Sequence, residues 1–193
     1  MRFRDHLWAH GFGVAEAMDT AQRGMGLSWE MARELIARSA ERAASRGGAL
    51  ACGAGTDQLA DGESHPIPRI IDAYLSQMAF VQSAGADVIV MASRALAASA
   101  RGARDYLDVY GELLRQADRP VILHWLGEAF DPALRGYWGG LEFDAAAGTV
   151  LELIELSGGK VDGVKLSVLD AGREVALRSS AEGRRVEVPV LEV

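Results

Sequence analysis

The sequence predicts an α/β fold: a parallel (β/α)8 barrel of the TIM type, with part of the barrel missing. Three observations predict it. Short apolar runs rich in Val and Ile alternate with longer segments of helical period, as in a parallel sheet covered on both faces. Polar residues follow every strand exit, the pattern expected where all strand-to-helix loops face one site. The chain has 193 residues, whereas a complete eight-stranded barrel typically runs to about 250. The competing architecture is an open doubly wound sheet, which gathers its polar chemistry at one switch point. No nucleotide fingerprint favours it, because Gly53-Ala-Gly55 lacks the third glycine and the helix start that should follow.

The elements follow in order. Phe3 to Ala9 reads as the end of a helix, and Gly11 to Thr20 as a strand with a polar exit. Ser28 opens a helix that runs to Ser45, with Ala32, Leu35, Ile36 and Ala40 on one face and Gly47 and Gly48 as the stop. Ala49 to Thr56 is the second strand. Asp61 to Pro68 is a turn-rich loop, and Ile70 to Ala84 is helical with Ile71, Tyr74, Leu75, Met78 and Val81 on one side. Asp87 to Ala92 is a β-branched strand. Ala95 to Ala117 is helical with a break near Arg101 and Gly102. Pro120 to Trp125 is a strand opened by proline, where a missing N–H is tolerated. Asp131 to Gly140 is a loop with aromatics, Ala145 to Ser157 a helix, and Val161 to Leu169 the last clear strand. A short helix at best, Gly172 to Ala181, precedes Val186 to Val193, a candidate sixth strand. Residues 1–193 are read as one partial barrel domain.

Composition narrows the function. There are 20 basic and 27 acidic side chains, net charge −7, with no basic stripe, so nucleic acid is not an expected partner. No apolar run is long enough to span a bilayer. Met1 to His6 has no apolar segment of a secretory signal, and Cys52 is the one cysteine. A cytoplasmic setting is expected. Of the 20 basic residues, 18 are Arg, and the two Lys are Lys160 and Lys165. A Lys kept inside an apolar strand of an Arg-rich chain suggests chemistry that needs an amine, since Arg neither loses its proton nor forms an imine.

Strand alternation sets Val164, Leu166 and Val168 on one face and Gly163, Lys165 and Ser167 on the other. With the apolar face against the helices, Lys165 points into the barrel, where desolvation lowers an amine pKa. The competing reading is a Lys reaching out to pair with Asp162 or Asp170. His124 at the end of its strand can shuttle protons near neutral pH, or serve as a core histidine; Glu128 is its candidate partner or a metal ligand. Asp19 and Thr20, Thr56 and Asp57, and Ser93 and Arg94 leave the first three strands and are candidates to bind substrate, Arg94 by holding a carboxylate. Glu16 either points inward toward a cation such as Lys165 or outward to a helix. Trp125, Phe130, Tyr137 and Trp138 either wall a pocket or anchor a loop.

These phrases also carry a family resemblance. The stretches Gly13 to Gly24, Ala51 to Leu59, Met91 to Leu96, Val121 to Glu128 and Asp162 to Ser167 resemble a bacterial branch of the dihydrodipicolinate synthase / N-acetylneuraminate lyase superfamily. The resemblance implies a class I aldolase-type lyase or synthase that forms a Schiff base without cofactor or metal. Gly163-Val-Lys165 is similar to the phrase of the superfamily's sixth strand that holds the imine Lys. Pro120-Val-Ile-Leu-His124 is similar to its fifth-strand phrase, with His in place of the relay Tyr. Ala17-Met-Asp-Thr20 stands where a carboxylate-binding Gly-Thr-Thr-Gly-Glu is usual, and departs from it. By this alignment the chain covers the second to sixth strands of a full barrel, with an altered seventh between Arg184 and Val193.

The expected function is therefore an aldolase-like lyase acting on a small-molecule carbonyl such as an oxo-acid. Lys165 and His124 are the candidate catalytic residues. Asp19, Thr20, Thr56, Asp57, Ser93, Arg94, Glu128 and Ser167 are the candidate binding residues. Two other readings stand beside it. One is a metal-dependent sugar isomerase or epimerase using Glu16, Asp57, His124 and Glu128. The other is a truncated, non-catalytic piece of a barrel. Exposed strand edges lead to an expectation of self-association into a homo-oligomer.

Overall fold

The computed structural model describes residues 1–18, 23, 26–60, 63–183 and 190–191. Helix α1 (Arg2–Ala9) leads into β1 (Val14–Glu16), α2 (Trp29–Arg46) and β2 (Leu50–Ala54). Then come α3 (Ile67–Ser83), β3 (Asp87–Val90), α4 (Arg94–Ser99), α5 (Ala103–Gln116) and β4 (Val121–Leu126). Helix α6 (Phe143–Leu156), β5 (Val161–Ser167), α7 (Ala171–Gly183) and β6 (Val190–Leu191) complete the order. Each strand pairs in parallel with the next, in the order β1-β2-β3-β4-β5-β6. A doubly wound sheet must reverse its strand order at the switch point, and this one never does. The architecture is an incomplete α/β barrel. No helix among the described residues is long and apolar enough to cross a membrane.

Local signals explain the boundaries. The Ser28 hydroxyl accepts from Met31 N, and Gly47 closes α2 with φ 63°. The break between α4 and α5 falls at residues 100–102. Helix α7 is longer than expected, at 13 residues. The segment after Arg184 contributes a two-residue strand, with Val164 opposite Val190 and Lys165 opposite Leu191.

Two apolar layers sandwich the sheet. Outward, Leu50, Cys52, Val88, Val90, Leu123, Val164 and Leu166 pack under helix residues such as Ile36, Tyr74, Met78, Leu113 and Leu153. Burial pushes the Cys52 thiol up to about 12, so it packs as an inert apolar group. Inward, Met18, Ile89 and Met91 form a separate cluster with Ala51 and Ile122. Register puts Gly53, Ile89, Ile122 and Gly163 side by side in one interior row. Gly53 is required there, because a Cβ would sit 2.5 Å from the Ala17 carbonyl oxygen.

Tyr137 and Trp138 anchor the 127–142 connection, while Phe130 is exposed. Trp138 is fully buried and packs against Tyr106, Tyr110, Trp125 and Tyr137. It adopts φ 68°, a conformation that costs a non-glycine residue on the order of 1–3 kcal/mol and persists only where packing enforces it.

Candidate functional site at the C-terminal mouth

The strand ends deliver two clusters. The first lies on β4 and β5, where His124 and Lys165 are direct cross-strand partners on the interior face. The Lys165 ammonium donates to Ser167 Oγ at 3.1 Å and contacts His124 Nε2 at 3.3 Å. His124 Nε2 is also 3.3 Å from Ser167 Oγ, so the three groups close a triangle. His124 and Ser167 are buried, and Lys165 is half-buried. The row directly beneath them, toward the N-terminal ends of the strands, holds Ile122 and Gly163 and offers no polar side chain.

Electrostatics fix the state of the imidazole. Burial, and then the nearby Lys165 charge, push the His124 pKa down to about 3. At neutral pH His124 is therefore a neutral ring, as in the core-histidine alternative of the two sequence readings. Nε2 faces a donor, so it accepts and Nδ1 carries the hydrogen; Nδ1 is buried with no hydrogen-bond partner among the described residues.

The second cluster sits at the exits of β1, β2 and β3. Arg23 is almost fully buried and donates through Nε to Asp57 Oδ2 at 2.9 Å and through Nη2 to Asp57 Oδ1 at 2.6 Å. It also donates to the carbonyls of Ala17 and Gly53, at 2.8 and 3.0 Å, and to Gln77 Oε1 at 2.6 Å. Gln77 accepts from Gly55 N at 2.7 Å and donates to Asp57 at 2.9 Å. Burial alone would raise the Asp57 pKa, but the hydrogen bond and charge of Arg23 outweigh it and hold the carboxyl below its usual range. Asp57 is thus paired with Arg23, and the two line a cavity together with their neighbours.

Those neighbours form a small cavity of about 40 Å³, lined among others by Thr56, Met91, Ser93, Arg94 and Asp131. Thr56 Oγ1 lies 2.6 Å from Ser93 Oγ, which also caps α4 by accepting from Leu96 N. Ser93 N donates to the Tyr137 hydroxyl at 2.9 Å, and Tyr137 is 2.9 Å from the Tyr110 hydroxyl. Arg94 donates to Asp131 Oδ2 at 2.6 Å. Lys165, His124 and Ser167 are not in this lining.

Other candidates are placed differently. Glu128 is exposed and lies 3.7 Å from Arg135, not beside His124. Glu16 faces the helices, bonded to Arg4 and, at 2.8 Å, to the Ser39 hydroxyl. Asp170 caps the start of α7 through Arg173 N. The four residues of the metal-isomerase reading therefore belong to separate surroundings. No group of three or more His, Cys, Asp or Glu with metal-binding geometry occurs among the described residues. Asp19 and Thr20 lie outside the described residues. Sequence reasoning missed Arg23, Gln77, Asp131 and the hydrogen bond from Ser93 N to the Tyr137 hydroxyl. Gln77 had a readable signal, a polar residue on the apolar face of α3 in helical step with Tyr74 and Val81.

Comparison with known proteins follows the same lines. No curated protein matches the chain in sequence. In structure the chain is similar to dihydrodipicolinate synthase from Oceanobacillus iheyensis, with a TM-score of 0.62 and 18% identity. The match covers 97% of this chain and 51% of that one, so the chain spans about half the length of the enzyme it resembles. At this identity the likeness establishes the fold. A family model described as Protein of unknown function (DUF993) matches residues 1–187. The chain belongs to this DUF993 family, and builds it on a dihydrodipicolinate synthase-like barrel fold.

Proposed function

We propose that this chain carries the amine chemistry of a class I aldolase-like lyase or synthase, with Lys165 forming a Schiff base to an oxo-acid or other small carbonyl compound. One observation carries the reading: the Lys165 amine sits on an interior strand face with a neutral imidazole at 3.3 Å and a hydroxyl at 3.1 Å. An amine must lose a proton to become a nucleophile. His124 contributes as a neutral acceptor that orients Nζ. Thr56, Ser93 and Arg94 bind the substrate's polar end, with Asp57 holding Arg23 in place beside them. Glu128, Asp19 and Thr20 belong to this reading as further substrate-binding residues. The reading takes residues 1–193 as one barrel domain in a cytoplasmic, self-associated protein, which light scattering of the purified chain tests.

Borohydride trapping tests the chemistry. The protein is incubated with pyruvate, glyoxylate or 2-oxobutyrate, reduced, and examined by peptide mass spectrometry. The expected result is one carbonyl-dependent adduct on Lys165, absent from Lys165→Ala. No adduct with any of a broad carbonyl panel, or an adduct that survives Lys165→Ala, overturns the reading and leaves a non-catalytic barrel piece as the better account.

A further inference from the structure

Schiff-base formation at Lys165 poses a proton-transfer problem. The overall step converts an ammonium and a ketone into a protonated imine and water. Two of the three ammonium protons must end on the departing oxygen, and the third stays on the imine nitrogen. One proton leaves Nζ before or as its lone pair attacks the carbonyl carbon, and the carbonyl oxygen takes one up as the C–N bond forms. The second crosses from nitrogen to that oxygen as the C–O bond breaks and water departs. No oxidant or outside acid is needed, but something adjacent to Nζ must take a proton and return one.

Of the two triangle groups, His124 and Ser167, the hydroxyl can do both. His124 Nε2 accepts, and its ring hydrogen lies on the far nitrogen. Its low pKa keeps the imidazolium, the form that would return a proton from Nε2, out of reach at neutral pH. The Ser167 hydroxyl accepts from the ammonium at 3.1 Å and carries a proton of its own. It projects from the same strand face two residues beyond Lys165, toward the strand's C-terminal end, where a bound carbonyl must sit. The oxygen of the tetrahedral intermediate is two bonds from Nζ, so a hydroxyl in contact with Nζ also reaches that oxygen.

We infer that Ser167 is a catalytic residue that relays both protons from the Lys165 amine to the departing oxygen, with His124 Nε2 holding the pair in register. This rests on the imine reading above. It assigns the relay to a side chain two residues from the nucleophile on the same strand, and His124 becomes a positioning residue.

The test uses acetylacetone, a 1,3-diketone whose condensation with a reactive amine gives an ultraviolet-absorbing enaminone through the same tetrahedral intermediate. Wild type is expected to form one enaminone, on Lys165. Ser167→Ala is expected to reach the same final extent at a rate lower by about 10²-fold, the usual scale of a lost general acid–base group. Because the site is buried, an isosteric pair repeats the comparison at one side-chain shape: Ser167→Thr stays within about tenfold of wild type, and Ser167→Val is as slow as alanine. Equal rates for the threonine and valine variants, or a wild-type rate in folded Ser167→Ala, overturn the relay while the Lys165 adduct still stands. Absence of the adduct in wild type overturns the imine reading and the relay with it.

Discussion

Arg23, between the exits of β1 and β2, donates to both oxygens of Asp57, to Gln77 and to two backbone carbonyls. Lys165, on β5, donates to a hydroxyl and meets a neutral imidazole. Each is a cation at the same end of one sheet. A guanidinium cannot lose its proton, and its planar fork satisfies a carboxylate and carbonyls at once, so Arg23 works as a fixed clamp between strands. An ammonium, unlike a guanidinium, can lose its proton. Under the proposed reading, one mouth thus contains a half that shapes the cavity and a half that carries the amine. In an Arg-rich chain, the residue type at each position already tells which half is which.

The sharpest way to break this contrast is to remove the clamp. Arg23→Met is expected to leave Asp57 buried without its partner and to destabilise the fold by about 3–5 kcal/mol. The urea midpoint should fall accordingly. Lys165→Met, by comparison, should change stability by less than about 1.5 kcal/mol, because it removes hydrogen bonds of ordinary strength from a half-buried site. If Lys165→Met proves as damaging as Arg23→Met, the amine is a structural strut and the division fails.

Acid separates the halves next. The unfolded His124 takes a proton below about pH 6.5, whereas the folded ring resists until about pH 3. Its folded pKa is lowered, so its contribution is full above pH 6.5 and is lost as pH falls toward 3. Between pH 7.5 and 4.5 this amounts to about 2–3 kcal/mol. Unfolding midpoints of wild type and His124→Asn should converge over that range by about this amount. The folded Asp57 carboxyl lies below the ordinary carboxylate range, so its stabilisation is full above that range and is lost as pH falls through the lowered value. Parallel pH curves for the two proteins would mean that the imidazole is already hydrated.

Much of the fold was legible in the sequence, and the reason is local. Strands such as Val121 to Leu126 and stops such as Gly47 and Gly85 carry their own signals, and parallel pairing in strict order follows from regular alternation. The inward direction of Lys165 followed from a period of two. What stayed hidden were pairings across long separations. Arg23 to Asp57 spans 34 residues and Arg94 to Asp131 spans 37, and nothing in either neighbourhood names the partner. His124 with Glu128 looked plausible by proximity in sequence, yet the strand carries His124 inward while Glu128 has already left for solvent beside Arg135. The choice between a shuttling and a core His124 stayed open in the sequence for a related reason: burial and a neighbouring ammonium are tertiary facts.

A moderate effect is expected at the join between the halves. Tyr137 comes from the loop after β4 but holds Ser93 N at the exit of β3 and meets Tyr110 behind it. Tyr137→Phe leaves a buried N–H unpartnered and should cost about 1–3 kcal/mol in chemical denaturation. The Thr56–Ser93 pair should loosen with it, so the variant should bind an oxo-acid more weakly in calorimetry while its rate of enaminone formation at Lys165 stays near wild type. A fall in both would show that the cavity and the amine are mechanically one site.

Glu128→Ala should do least. Its carboxylate is exposed and its nearest described cation, Arg135, lies 3.7 Å away on an exposed side chain. Exposed pairs of this kind contribute little, and the change in stability should stay within about 0.5 kcal/mol. The position still has diagnostic value, because sequence spacing placed Glu128 beside His124 while the fold turns it outward. If Glu128 moved inward on binding, its negative charge would favour the His124 imidazolium and raise that pKa. The loss of Glu128 would then change the pH dependence of adduct formation at Lys165 without changing the free protein's unfolding curve. A pH profile that matches wild type in the alanine variant keeps Glu128 on the rim. A shifted one means that the loop after β4 closes over the amine, and the reactive half of the mouth is then the mobile one.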